Sequence, residues 1–222
     1  MAKTALLIGA TGLVGEQCLQ ELLASSAYVK VIALTRKKTE QHDSKLVNIV
    51  TDFENLEAIK QQLKCDDVFC AMGTTIAKAG SQAAFRRIDF EIPLQVAELT
   101  LQNGAKKFLL VSSIGADASS LAFYTRVKGE IENALMKMKF ESVLVFRPSI
   151  LLGNRKETRR AEEVGRFFAE KLSFLFAGPL KKYRGTPANL LAKVMVYLAQ
   201  EKKKAIRIIE NEEILEIAEQ HS

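Results

Sequence analysis

Tyr124 and Lys128 stand four residues apart, so on a helix they share one face and lie about 6 Å from each other along its axis. A tyrosine hydroxyl ordinarily ionises near about 10, and a neighbouring ammonium, with the positive charge of an oxidised nicotinamide, favours the phenolate. Such a pair can pass a proton to or from a carbonyl or alcohol oxygen, and the ammonium can also hold a ribose hydroxyl. Ser112 and Ser113 end the apolar run Phe108-Leu109-Leu110-Val111. A serine hydroxyl there, close to Tyr124 in the fold, can hydrogen-bond a substrate oxygen as charge develops on it. The pair at 124 and 128 is weak evidence by itself, and its position after the fifth apolar run is what gives it weight.

A second group of residues suits a dinucleotide. Gly9-Ala10-Thr11-Gly12-Leu13-Val14-Gly15 follows the apolar run Ala5-Leu6-Leu7-Ile8 and opens a helical pattern. Gly9 permits a tight turn, Gly12 lets the backbone approach a pyrophosphate, and Gly15 lets the helix lie close on the sheet. The free N–H groups of the helix start then face the phosphates. The second apolar run ends Leu34-Thr35-Arg36-Lys37-Lys38, with cations where an NAD-selecting carboxylate would stand. Arg36 and Lys37 suit the 2′-phosphate of NADP. Asp52 and Phe53 fall where such folds border the adenine. Asp52 either accepts from the exocyclic amine or caps a helix beginning near Asn55.

These groups need a scaffold, and the rest of the chain supplies one. Seven short apolar runs, at 5–8, 30–35, 46–50, 68–71, 108–112, 142–146 and 205–209, alternate with stretches of helical period. That alternation predicts an α/β fold with a doubly wound parallel sheet and helices on both faces. Val14, Cys18, Leu19, Leu22 and Leu23 make one apolar helix face. Ile88, Ile92, Val96 and Leu99 make a second, and Phe123, Val127, Ile131 and Leu135 a third, whose edge carries Tyr124 and Lys128. Pro187 opens a further helix through Leu198. One domain over 1–222 is the economical reading, with 153–187 as a substrate-side loop region.

Composition narrows the function. The chain has 222 residues, 48% hydrophobic and 26% charged, which excludes disorder and coiled coil. Its net charge is +6, and residues 153–204 alone carry 13 basic and 5 acidic side chains, which suggests an anionic ligand more than a nucleic acid. Cys18, Cys65 and Cys70 form no metal-binding pattern with His42 and His221, the only histidines. No run is long enough to cross a bilayer and no secretory leader is evident, so a cytoplasmic protein with a small-molecule substrate, without nucleic-acid or membrane partners, is expected.

At this point the chain resembles a known family, the short-chain dehydrogenase/reductase superfamily, and within it the atypical branch of the Tat-interactive oxidoreductase. The likeness runs from about Lys3 to Ile209. It rests on the glycine turn at 9–15, Thr35-Arg36-Lys37, Asp52-Phe53, Met72-Gly73-Thr74-Thr75, Lys78-Ala79-Gly80 and Ser112-Ser113-Ile114-Gly115-Ala116-Asp117. Tyr124 with Val127-Lys128-Gly129-Glu130, Phe146-Arg147-Pro148 and Leu151-Leu152 complete it. The resemblance implies NADP contacts at Thr11 to Val14, Arg36, Lys37, Met72, Gly73, Tyr124, Lys128, Leu151 and Arg159. It also implies proton transfer by Tyr124 and a catalytic serine at Ser113, with Ser112 as substitute. Met72-Gly73-Thr74-Thr75 replaces the Asn-Asn-Ala-Gly segment of the main branch, so no catalytic asparagine is assigned. The expected function is an NADP-dependent oxidoreductase of a small carbonyl or alcohol; the alternative is an NADPH-binding regulatory or redox-sensor protein with little turnover.

Overall fold

The computed structural model describes residues 2–153 and 184–221. All seven expected strands are present: β1 (Lys3–Ile8), β2 (Tyr28–Thr35), β3 (Leu46–Val50), β4 (Asp67–Cys70), β5 (Lys107–Val111), β6 (Ser142–Arg147) and, last in the chain, β9 (Ile206–Glu210). They form one parallel sheet in the order β3-β2-β1-β4-β5-β6-β9. The order reverses direction between β1 and β4, and ligands of such sheets bind beyond the carboxyl ends of the strands at that reversal. A short parallel pair, β7 (Leu151–Leu152) with β8 (Thr186–Pro187), stands apart from the sheet.

Both faces of the sheet are buried, and successive residues of each strand point to opposite sides. In β1, Ala5 and Leu7 join the core under helices α1 (Leu13–Ala24), α6 (Ala188–Ala199) and α7 (Asn211–Gln220). Leu6 and Ile8 join the opposite core, under α4 (Ile92–Gln102), α5 (Phe123–Met136) and a 3-10 turn over Glu57–Leu63. The expected apolar face of α1 is fully buried. Pro187 is extended, with φ −60° and ψ 128°, and pairs with Leu152 before the helix instead of opening it.

The second expected helix face is altered. Short helices α2 (Ile76–Ala79) and α3 (Gln82–Arg86) precede α4, and a π turn over Arg87–Glu91 joins α3 to α4. Here Ile88 is half-buried and Asp89 is 2% exposed, so the carboxylate takes an interior place within the stripe. Single π turns within helices are rare and recur at functional sites.

The loop from β5 to α5 is pressed onto its helix. A Cβ at Gly129 would stand 2.1 Å from Ala118 N and 2.3 Å from Asp117 C, and Asp117 N donates to Thr125 O at 3.0 Å. Gly129→Ala should therefore destabilise the protein by about 2 kcal/mol, because the obstruction is backbone and cannot rotate away. In an unobstructed helix the same change stabilises by about 1 kcal/mol. A urea unfolding midpoint that is unchanged or raised would contradict this account of the loop.

Candidate functional site

The glycine turn connects β1 to α1 as its spacing requires. Gly9 has φ +85°, and a Cβ there would lie 2.5 Å from the carbonyl of Ala71 and 2.6 Å from Met72 N, so the turn lies directly against the end of β4. A Cβ at Gly15 would sit 1.9 Å from Gly9 O, which fixes the helix start close to the sheet. Gly12 differs: its Cβ would meet only Gly9 O, at 3.3 Å, and Ala71 O, at 4.0 Å. Gly12 is the cap of α1 and offers no side chain to the first N–H groups of the helix. Thr11 and Gly12 are exposed, Leu13 is half-buried, and Val14 and Gly15 are buried beneath them. A bare turn over free N–H donors fits a pyrophosphate.

Arg36 and Lys37 follow the last residue of β2 and are exposed beyond its carboxyl end. Phe53 is buried with φ +66°, a strained conformation for a non-glycine residue. Asp52 remains exposed and accepts from Glu54 N at 2.9 Å, whereas Asn55, not Asp52, caps the following turn by accepting from Ala58 N. Leu151 is half-buried in β7. Arg159, and with it 154–183 of the expected substrate-side region, lies outside the described residues. At the described end of that region, a Cβ at Gly153 would stand 2.8 Å from Leu13 Cδ1, so the chain leaving β7 packs on the start of α1.

Tyr124 and Lys128 occupy one face of α5, but not both at its edge. Tyr124 is half-buried with its ring 5.5 Å from that of Phe85, while Lys128 is 5% exposed. Its ammonium is not a lone charge: Nζ lies 2.6 Å from Oδ1 of Asp89. Burial works against the charge of Lys128, and the Asp89 carboxylate overrides it, holding the amine above the usual lysine range. The other Asp89 oxygen accepts from Thr74 N at 2.9 Å. Gly73 stands over the pair, since a Cβ there would be 3.3 Å from Asp89 Oδ1 and 3.5 Å from Lys128 Nζ. Thus Met72-Gly73-Thr74 touches the glycine turn on one side and the ion pair on the other. Asp89 escaped the sequence reading. Its signal was an acidic residue between Ile88 and Phe90 in an otherwise apolar stripe.

The two serines separate clearly. Ser112 is buried, and its hydroxyl donates to Glu132 of α5. Glu132 is also gripped by Arg147, with Nη2 at 2.6 Å from Oε2 and Nε at 3.1 Å from Oε1. Arg147 further donates to Ala116 O and to Glu210. The hydrogen bonds that Arg147 donates to Glu132 hold its guanidinium above the ordinary range against the effect of burial. Ser112 thereby belongs to a clamp joining β5, α5, β6 and β9. Ser113 is half-buried and donates to Ile114 O at 3.1 Å, a local bond that a ligand oxygen can replace. Among the described residues, no group of three or more His, Cys, Asp or Glu side chains is placed to hold a metal ion.

Comparison with known proteins identifies the family. A model of the NAD(P)H-binding family matches residues 9–170. Protein HTATIP2 of Rattus norvegicus is 39% identical over 170 residues, which are 75% of this chain and 70% of that one. The mitochondrial protein FMP52 of Candida albicans is 40% identical over 157 residues, 68% of this chain and 69% of its own. Among solved structures, the Bordetella bronchiseptica enzyme WbmH in complex with NAD+ superposes with a TM-score of 0.72 at 12% identity, covering 99% of this chain and 80% of that one. A short-chain dehydrogenase family protein from Francisella tularensis gives 0.69 at 15% identity, over 97% of this chain and all of the other. The expected cytoplasmic location is corrected by these comparisons, because several of the matching relatives are named mitochondrial proteins. No helix among the described residues is long and apolar enough to cross a membrane. With its glycine turn against β4, its doubly wound sheet and its similarity to these relatives, the chain belongs to the NAD(P)H-binding family.

Proposed function

We propose that the protein is an NADP-dependent oxidoreductase acting on a small carbonyl or alcohol substrate. The observation that carries this reading is the glycine turn against the end of β4, with Gly73 over the buried Lys128–Asp89 pair and Tyr124 one helical turn from Lys128 on α5. A bound nicotinamide cofactor supplies or accepts hydride. Tyr124 Oη exchanges the accompanying proton with the substrate oxygen, and Ser113 Oγ donates a hydrogen bond to that oxygen. Lys128 holds the ribose, and its ion pair with Asp89 favours the protonated amine. Arg36 and Lys37 support NADP over NAD, since guanidinium and ammonium groups at the end of β2 attract a 2′-phosphate that carries close to two negative charges.

In the alternative, an NADPH-binding sensor with little turnover, a thiol would be the simplest redox reporter, and the three cysteines do not suit that task. Cys18 and Cys70 are buried, and burial pushes both thiols up to about 12; burial also raises Cys65. At pH 8 a thiol reagent should leave Cys18, Cys65 and Cys70 unmodified in the native protein and label all three after denaturation. Rapid native labelling of any of them, followed by mass spectrometry, would favour the sensor.

Tyr124→Phe should retain nucleotide affinity within a few-fold and lose most turnover, because the ring stays packed and only the proton is lost. A metabolite panel followed at the nicotinamide absorbance checks this, and equal turnover by the variant would remove Tyr124 from the chemistry. Calorimetric titration with NADPH and NADH should give a preference of about ten-fold or more for NADPH, since each charge-assisted hydrogen bond contributes about 1.5–3 kcal/mol before screening. The preference should disappear in the double variant Arg36→Ala with Lys37→Ala. A parent protein with equal affinities would refute the assignment of this strand end to a phosphate.

A further inference from the structure

We propose that the amino end of the sheet, along β4, β5, β6 and β9, is an attachment surface for an anionic phospholipid bilayer. This surface lies at the opposite end of the parallel strands from the glycine turn, so attachment leaves the nucleotide end facing away from the membrane, whatever chemistry takes place there.

Six exposed lysines make the surface: Lys64 before β4, Lys106 before β5, Lys137 and Lys139 before β6, and Lys202 and Lys203 before β9. The stretches that carry them lie side by side. Lys106 N donates to Asp66 O at 2.8 Å, Ser142 N to Lys106 O at 3.1 Å, and Val143 N to Ala205 O at 2.9 Å. Neighbouring strands stand about 5 Å apart, so the four strand entries span roughly 15 Å, within about two Debye lengths at physiological salt, and their charges act together.

The acids at this end are engaged elsewhere. Asp67 is buried and accepts from Lys3 and Tyr28, Asp66 accepts from Thr4 N, and Glu141 pairs with Lys204. Glu201 is half-buried, and one carboxylate does not offset so many ammonium groups. Among the described residues, none of the six lysine side chains forms an ion pair or a hydrogen bond. Nor does the end of α6 depend on Lys202 and Lys203, because Lys3 and Lys107 both donate to Ala199 O. What remains is unpaired positive charge turned to solvent.

The kind of charge favours a bilayer over a nucleic acid. Ammonium groups are compact and strongly hydrated, suited to a diffuse negative surface, and they lack the planar fork with which arginine grips a phosphate or a base. Phe140, the aromatic residue beside Lys139, is buried and offers no face on which a base could stack. Ile206, at the start of β9, is 53% exposed and adds an apolar contact at the headgroup boundary. Clusters of about four to eight basic residues are enough to hold a protein on acidic lipids.

Sedimentation with vesicles tests the surface. In about 50 mM salt the parent should bind vesicles containing about one third phosphatidylglycerol and should not bind vesicles of phosphatidylcholine alone; at about 0.5 M salt its affinity should fall about tenfold or more. The quadruple variant Lys137→Gln, Lys139→Gln, Lys202→Gln and Lys203→Gln alters only exposed side chains, so its unfolding midpoint should match the parent while its affinity for the anionic vesicles falls about tenfold or more. Arg36→Ala with Lys37→Ala, at the other end of the sheet, should bind the vesicles as the parent does. Absence of a preference for anionic vesicles, a quadruple variant that binds them like the parent, or loss of binding in the variant at 36 and 37 would overturn the proposal. So would a DNA duplex that binds more tightly than the vesicles and is released in the quadruple variant, which would make the same face a nucleic-acid surface.

Discussion

Lys128 and Asp89 are withdrawn from water where α5 packs on the π turn, and neither charge is tolerable there without the other. Removing one partner of a buried pair costs about 3–5 kcal/mol, because the survivor keeps its desolvation penalty without its attraction. Much of the local structure can be read as the means of holding the two together. The π turn aims Asp89 inward, Thr74 N fixes its second oxygen, Gly73 leaves the space that a side chain would fill, and Gly129 lets the preceding loop lie on α5.

A second ionic arrangement lies on the neighbouring strand ends and has a different character. Glu132 is fully committed to Ser112 and Arg147, and Arg147 reaches Glu210 and Ala116 O. The clamp ties α5 to β6, to β9 and to the loop after β5. The two serines that look equivalent in sequence are therefore divided by partners: one completes a structural network, and the other holds only a weak local bond.

The strands were legible because a doubly covered parallel sheet demands short, continuous apolar runs, and each run, from Ala5-Leu6-Leu7-Ile8 to the last, lies within a residue or two of its strand. The glycine turn was legible because its constraints are local, acting over seven residues. The ion pair was not. Its members are 39 residues apart on different elements, and periodicity describes one element at a time. Helical spacing put Lys128 at the edge of a buried face, but packing against the π turn took it fully inside. The role of Arg147, although Phe146-Arg147-Pro148 stood out as a motif, depended on Glu132 and Ser112 being brought to it by α5.

The short pair β7–β8 works as a fastening. Leu151 lies beside Thr186, Asn211 donates to Arg184 O, and Ser149 N donates to both Thr186 and Asn211, so three stretches of chain meet at one polar junction. Each buried hydrogen bond in such a junction contributes about 0.5–1.5 kcal/mol to stability. Because Ser149 follows β6 and Asn211 follows β9, the junction locks the exits of the two last strands of the sheet to each other, so the edge strand cannot slide without unseating β7 and β8 as well.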